Sequence, residues 1–304
     1  MPRATKPAAS PKASAIPGTS PDSSPVTPSA LVESPVPPRL FAGTSGWAYP
    51  MWKPGFYPPR TPAKAFLGFY ASQLSSVEVN YTFRTLPTPA MLEVWIAATP
   101  PGFRFSFKAP QRITHFSRLR DCVANVQQFV SSVEPVRQAG KLGCLLFQLP
   151  PNFPADPDRL RDLLRTPALA SPHAPPIAFE FRHESWFSDE IYTTLREHNA
   201  ALCVAESQDL LTPEIHPAST HACFRLRRSG GYSPTELHAF ARRIVPLTRD
   251  RDIYVYFKHE DEPTGALNAQ QFLAEARQLH AGGRSAPSSA SDGIAQLPVA
   301  SGKP

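Results

Sequence analysis

The sequence predicts an α/β protein, a TIM-barrel-like (β/α)8 single domain with disordered N- and C-terminal tails. Three observations predict it. Eight short runs of β-branched and aromatic residues alternate with helical stretches between residues 40 and 279, the pattern of a parallel sheet. Ionisable or amide side chains recur at the carboxyl end of nearly every run, where a barrel gathers its ligand-binding groups. The rival, a doubly wound open sheet, normally advertises a glycine-rich dinucleotide turn after its first strand. Here Gly43-Thr44-Ser45-Gly46-Trp47 has two glycines, no third and no Walker lysine.

Taken in order, the first 38 residues hold ten prolines among Ala, Ser and Thr with no apolar period. Such a segment cannot bury enough surface to offset the entropy of ordering it. Gly, Ser, Ala and Pro return near the end, so the predicted boundaries are 1–38 tail, 39–280 barrel and 281–304 tail. The strands read as Leu40–Ser45, Ser76–Asn80, Phe103–Lys108, Cys144–Gln148, Ile177–Arg182, Ala201–Ala205, Ala222–Arg227 and Ile253–Lys258. The helices read as Ala63–Leu74, Pro89–Ala98, Asp121–Gln138, Asp156–Leu164, Ser188–Asn199, Ser233–Val245 and Asn268–Leu279. Ser188 reads as an N-cap, and Ser233-Pro234-Thr235-Glu236 combines a capping box with proline at the first helical position. Residues 206–220 contain two prolines and no helical period, which predicts an irregular crossover.

The chain has 304 residues, 41% of them hydrophobic, enough for one large core. A net charge of +6 and a pI near 9.2 tilt the expected partners towards anions, nucleic acid included. Cys122, Cys144, Cys203 and Cys223 are widely spaced, without a C-x-x-C pair, and suit core positions in a reducing cytoplasm. No run of about 18 apolar residues predicts a membrane span, and the start lacks a secretory h-region.

The stretch Ile177–Trp186 carries the densest chemistry. Alternation along a strand puts Ala178, Glu180 and Arg182 on one face and Ile177, Phe179 and Phe181 on the other. An acid and a base buried on one face must be paired, either as a structural ion pair with Arg182 or Arg225 or as a working site. The predicted catalytic residues are Glu180, His183 and Glu78, with Glu206 a further acid–base candidate. The predicted ligand contacts are Trp47, Asn80, Lys108, Gln148, Arg182, Trp186, Arg225 and His259. Gln148 stands at a strand end stopped by Pro150 and Pro151, and Arg227 adds positive charge.

These residues sit in ordered motifs: Gly43-Thr44-Ser45-Gly46-Trp47-Ala48-Tyr49, Val77-Glu78-Val79-Asn80, Lys108-Ala109-Pro110, Ile113-Thr114-His115, Phe147-Gln148-Leu149-Pro150-Pro151 and Phe179-Glu180-Phe181-Arg182-His183-Glu184-Ser185-Trp186. Together they resemble the YecE-like family, also called domain of unknown function 72, over roughly Leu40 to Leu279. The resemblance implies a TIM-barrel-like fold and brings no reaction with it. One departure stands out. Many relatives carry Arg-x-His-Gly on the seventh strand, whereas this chain has Arg225-Leu226-Arg227-Arg228, so a histidine role there is either lost or moved to His259.

The leading expectation is an enzyme acting on an anionic, phosphate-bearing substrate at the carboxyl mouth of the barrel. A metal-assisted version, phosphodiester hydrolysis, would gather Glu78, Glu180, Glu206, His183 and His259 around a divalent ion; the nearby arginines and the lack of an H-x-H pair oppose it. The alternative is a non-catalytic nucleic-acid or nucleotide-binding protein, with Trp47, Tyr49, Trp52, Phe56 and Tyr57 as a stacking surface. A third reading makes the proline-rich tail a ligand for a protein partner.

Overall fold

The structure, a computed structural model, describes residues 39–206, 210–258 and 262–285, with side chains as far as Gly282. The predicted tails, apart from the start of the second, lie outside the described residues, as does His259.

All eight predicted strands form: β1 (Leu40–Thr44), β2 (Ser76–Val79), β3 (Arg104–Lys108), β4 (Leu142–Gln148), β5 (Ile177–Glu180), β6 (Ala201–Glu206), β7 (His221–Leu226) and β8 (Asp252–Phe257). They pair in parallel in the order β1-β8-β7-β6-β5-β4-β3-β2. The helices are α1 (Phe66–Gln73), α2 (Pro89–Ala97), α3 (Val123–Ser132), α4 (Glu134–Gln138), α5 (Pro157–Leu164), α6 (Pro167–Ala170), α7 (Asp189–Glu197), α8 (Pro234–Ile244) and α9 (Thr264–Ser285).

Three departures have local causes. The predicted helix Asp121–Gln138 breaks at Val133 because Pro135 lacks an N–H and its ring crowds the preceding turn. Ser188 makes no side-chain cap bond, whereas Ser233 and Glu236 complete the capping box. The last helix begins four residues before Asn268 and runs past Leu279 to Ser285. Residues 210–220 contain no helix, as the two prolines predict.

The alternation of each strand divides the core in two. Val77, Phe105, Phe107, Phe147, Phe179, Phe224 and Val255 face outward into the layer shared with the helices. Phe41, Cys144, Leu146, Ala178, Ala201, Cys203, Cys223, Tyr254 and Tyr256 fill the barrel interior. All four cysteines are buried and free, so they serve as small apolar side chains.

The barrel closes between β1 and β2 without a regular ladder. Ser75 N donates to Ala42 O at 3.2 Å. Beyond that point the Tyr70 hydroxyl takes over: it accepts from Thr44 N at 2.8 Å and donates to Ser76 O at 2.9 Å. A β-carbon at Gly43 would lie 1.7 Å from Ser76 O, so the strands meet this closely only because residue 43 is glycine.

Candidate functional site

Near the carboxyl ends of the strands, inward alternation brings Glu78 of β2, Glu180 of β5 and Arg225 of β7 together. All three are buried, with Glu78 0%, Glu180 1% and Arg225 2% exposed. Arg225 bridges the carboxylates: Nη2 donates to Glu78 Oε1 at 2.6 Å, and Nη1 donates to Glu180 Oε2. Ser45 Oγ adds a hydrogen bond to Glu78 Oε1 at 3.0 Å. Arg182 reaches back to Glu180 Oε1, with Nε and Nη2 both at 2.9 Å. Both arginines offered as partners of Glu180 therefore bind it, and Glu78 pairs with Arg225.

Burial would by itself raise the Glu180 pKa, but Arg225 and Arg182 outweigh it and bring the group down to about 2. The sign follows. A carboxylate lowered by folding stabilises the protein above its unfolded value, about 4.3, and that stabilisation is lost as pH falls towards 2. A two-unit shift corresponds to about 3 kcal/mol. Acid unfolding followed by circular dichroism is expected to begin below about pH 4.5, and Glu180→Gln should flatten that dependence.

Around the bridge, positive charge is in excess. Lys108, Arg182, Arg225 and Arg227 surround Glu78 and Glu180, four cations about two carboxylates. Arg227 is half-buried and makes no ion pair with a described residue. Lys108 Nζ lies 4.1 Å from the centre of the Phe83 ring. Burial, reinforced by Arg225, lowers the Lys108 pKa to about 8. His115, edge-on to Phe83, is lowered by burial and then by Lys108 and Arg182. A cleft of about 280 Å³ opens over the β5–β8 side, lined in part by Pro151, Glu180, Arg182, Arg227, Ser229 and Lys258.

Several expectations are corrected. Trp186 is fully buried, donates Nε1–H to Phe153 O at 2.7 Å and stacks on Phe181, so it seals the core and cannot touch a ligand. Arg225 is spent on the two carboxylates beneath the surface rather than offered to a ligand. Glu206 points outward, because Ala205 takes the inward position, and pairs with Arg228 at 3.0 Å. His183 caps the turn Glu184–Trp186, its Nδ1 accepting from Ser185 N at 3.3 Å. Trp52, Phe56 and Tyr57 are buried against one another and offer no stacking surface; Trp47 is half-buried, edge-on to Trp95. Gln148 is buried in register with Glu180, and Asn80 is half-buried at the end of β2.

Among the described residues no three His, Cys, Asp or Glu side chains converge to hold a metal ion. The donor set fits poorly in any case, since Arg225 occupies both central carboxylates. Phe83 and His115 were not anticipated at the mouth. The motif Ile113-Thr114-His115 contained one of them, but its position beside β3 depends on the π-turn Arg112–Phe116.

Fold and site together define a (β/α)8 barrel protein whose mouth holds a buried carboxylate–arginine bridge under surplus positive charge. The chain belongs to the DUF72 family, described as "Protein of unknown function DUF72", whose model matches residues 41–291. It is 29% identical to the UPF0759 protein YunF of Bacillus subtilis (strain 168) over 157 residues, 50% of this chain and 54% of YunF. It is 32% identical to the UPF0759 protein YecE of Escherichia coli (strain K12) over 115 residues, 38% of this chain and 39% of YecE. The chain thus matches about half the length, or less, of these curated relatives. A crystal structure of a DUF72 family protein from Thermotoga maritima superposes with a TM-score of 0.66 at 28% identity, covering 77% of this chain and 97% of that one. No described helix is long and apolar enough to cross a membrane.

Proposed function

We propose that the protein is an enzyme that binds an anionic, phosphate-bearing substrate at the carboxyl mouth of the barrel. The observation that carries this reading is Arg227, a half-buried guanidinium that lines the cleft with no carboxylate partner among the described residues. An unpaired charge in a half-buried setting is costly, and a ligand anion would offset that cost. Arg182 at the same cleft keeps one face on Glu180 and, 32% exposed, retains a face for the ligand.

The proton-transfer role shifts under this reading. Glu180, held at about 2, stays ionised and is a weak base at neutral pH. Glu78 and Glu180 instead fix Arg225 and Arg182 in place. Lys108, near pH 8, is the mouth group whose protonation changes close to neutrality.

Inorganic sulfate is a suitable probe because its charge is constant between pH 6 and 10. Calorimetry at pH 7 is expected to show saturable binding at one site, weakened at least tenfold, about 1.4 kcal/mol, by Arg227→Ala. Binding that is absent, or that ignores the substitution, rejects the site. Below about pH 8 the Lys108 ammonium is charged and attracts the anion; above it the amine is neutral. Sulfate affinity should therefore fall as pH rises from 7 to 9.5, and Lys108→Arg should remove the inflection.

A further inference from the structure

The anion-binding reading leaves one feature of the mouth unexplained. On β2 and just beyond it, two buried acceptors have no hydrogen-bond partner among the described residues: Glu78 Oε2 and Asn80 Oδ1. Glu78 is completely buried, and its other oxygen already receives Ser45 and Arg225. Asn80 sits two residues further along, where the strand gives way to the turn Tyr81–Phe83. Nε of Arg225, the residue that bonds Glu78, is a buried donor likewise unpartnered among the described residues. Buried polar atoms in native proteins almost always find a partner, so the two acceptors at β2 point to something that completes them.

Both orphans accept. An anion cannot complete them, and a bare sulfate or phosphate on Arg227 would leave them as they are. They require donors, O–H or N–H groups. The cations that line the cleft come from the opposite wall: Arg182 follows β5, Arg227 follows β7 and Lys258 follows β8. The mouth therefore has its unpartnered acceptors at β2, Lys108 beside them at the end of β3, and the cations of the cleft after β5, β7 and β8. Arg225 spans the floor between Glu78 and Glu180.

We infer, resting on the anion-binding reading above, that the ligand is a hydroxylated phosphate of the sugar-phosphate or polyol-phosphate class. Its phosphate lies against Arg182 and Arg227, and its hydroxyls donate to Asn80 Oδ1 and Glu78 Oε2. Entry requires the half-buried Asn80 amide to turn, because both orphan atoms are enclosed. A site that hydrogen-bonds a substrate hydroxyl discriminates strongly against analogues without one, since the unpaired acceptors then stay unpaired.

The test is calorimetry on the full chain with inorganic phosphate, glycerol 3-phosphate and ribose 5-phosphate. Ribose 5-phosphate is expected to bind at least tenfold more tightly than inorganic phosphate, with glycerol 3-phosphate between them. Asn80→Leu should erase that margin and leave inorganic phosphate unchanged, whereas Arg227→Ala should weaken all three. Asn80→Ala serves if the leucine variant fails to fold, and the margin in the unsubstituted protein is informative without either. Equal affinities for the three, or a margin that survives both Asn80 substitutions, overturn the inference while leaving the anion site standing. Failure of every phosphate to bind overturns both.

Discussion

Arg225→Met is expected to lower the unfolding free energy by about 3–5 kcal/mol, the cost of leaving buried charges without their partner. Two carboxylates, 0% and 1% exposed, share that one guanidinium, and only Glu180 has a second arginine, Arg182. A protein of this kind is stable by only about 5–15 kcal/mol, so much of the folded population is at stake. Urea unfolding followed by tryptophan fluorescence measures it. The triple variant Glu78→Gln, Glu180→Gln, Arg225→Met should recover much of the loss, because a neutral interior carries no unpaired charge. A loss below about 1 kcal/mol in the single variant would mean that water reaches the carboxylates and that the bridge is not what holds these strands together.

The second large effect is expected at the β1–β2 seam. Gly43→Ala would drive a methyl group to 1.7 Å from Ser76 O and 2.5 Å from the Tyr70 hydroxyl. Backbone cannot yield as a flexible side chain does, so β1 must move away from β2, at about 3 kcal/mol or more. Tyr70→Phe is the milder probe of the same place. It removes a hydroxyl that serves both Thr44 N and Ser76 O, and about 1–3 kcal/mol is expected for the buried groups left unpaired. Hydrogen exchange at Thr44 should accelerate in that variant. Unaltered melting in Gly43→Ala would show that the closure is looser than the contacts imply.

The strands were legible in the sequence because each is a short apolar run, and consecutive runs, most of them separated by a helix, pair in parallel. The inward face of β5 was legible too, since alternation alone puts Glu180 with Arg182 and away from Phe179. What alternation could not supply was the identity of contacts across the barrel. Arg225 lies 147 residues from Glu78 in the chain and 45 from Glu180. Glu206 shows the limit most clearly: it ends β6, like the other candidates, yet a one-residue phase difference turns it outward. Trp186 was ambiguous because a tryptophan after a strand can wall a pocket or seal a core. Its stacking on Phe181 decides for the core.

By itself the sequence determined the barrel class, the eight strands and which face of β5 carries its charge, because these depend on local period and composition. Only the tertiary structure decided that the two acids share one arginine, that Arg227 is left without an ion-pair partner among the described residues, and that Glu78 Oε2 and Asn80 Oδ1 meet no donor among them. Those facts depend on which side chains reach one another across the closed barrel. That closure rests on a glycine and a tyrosine hydroxyl at one seam, whose joint role no local pattern records.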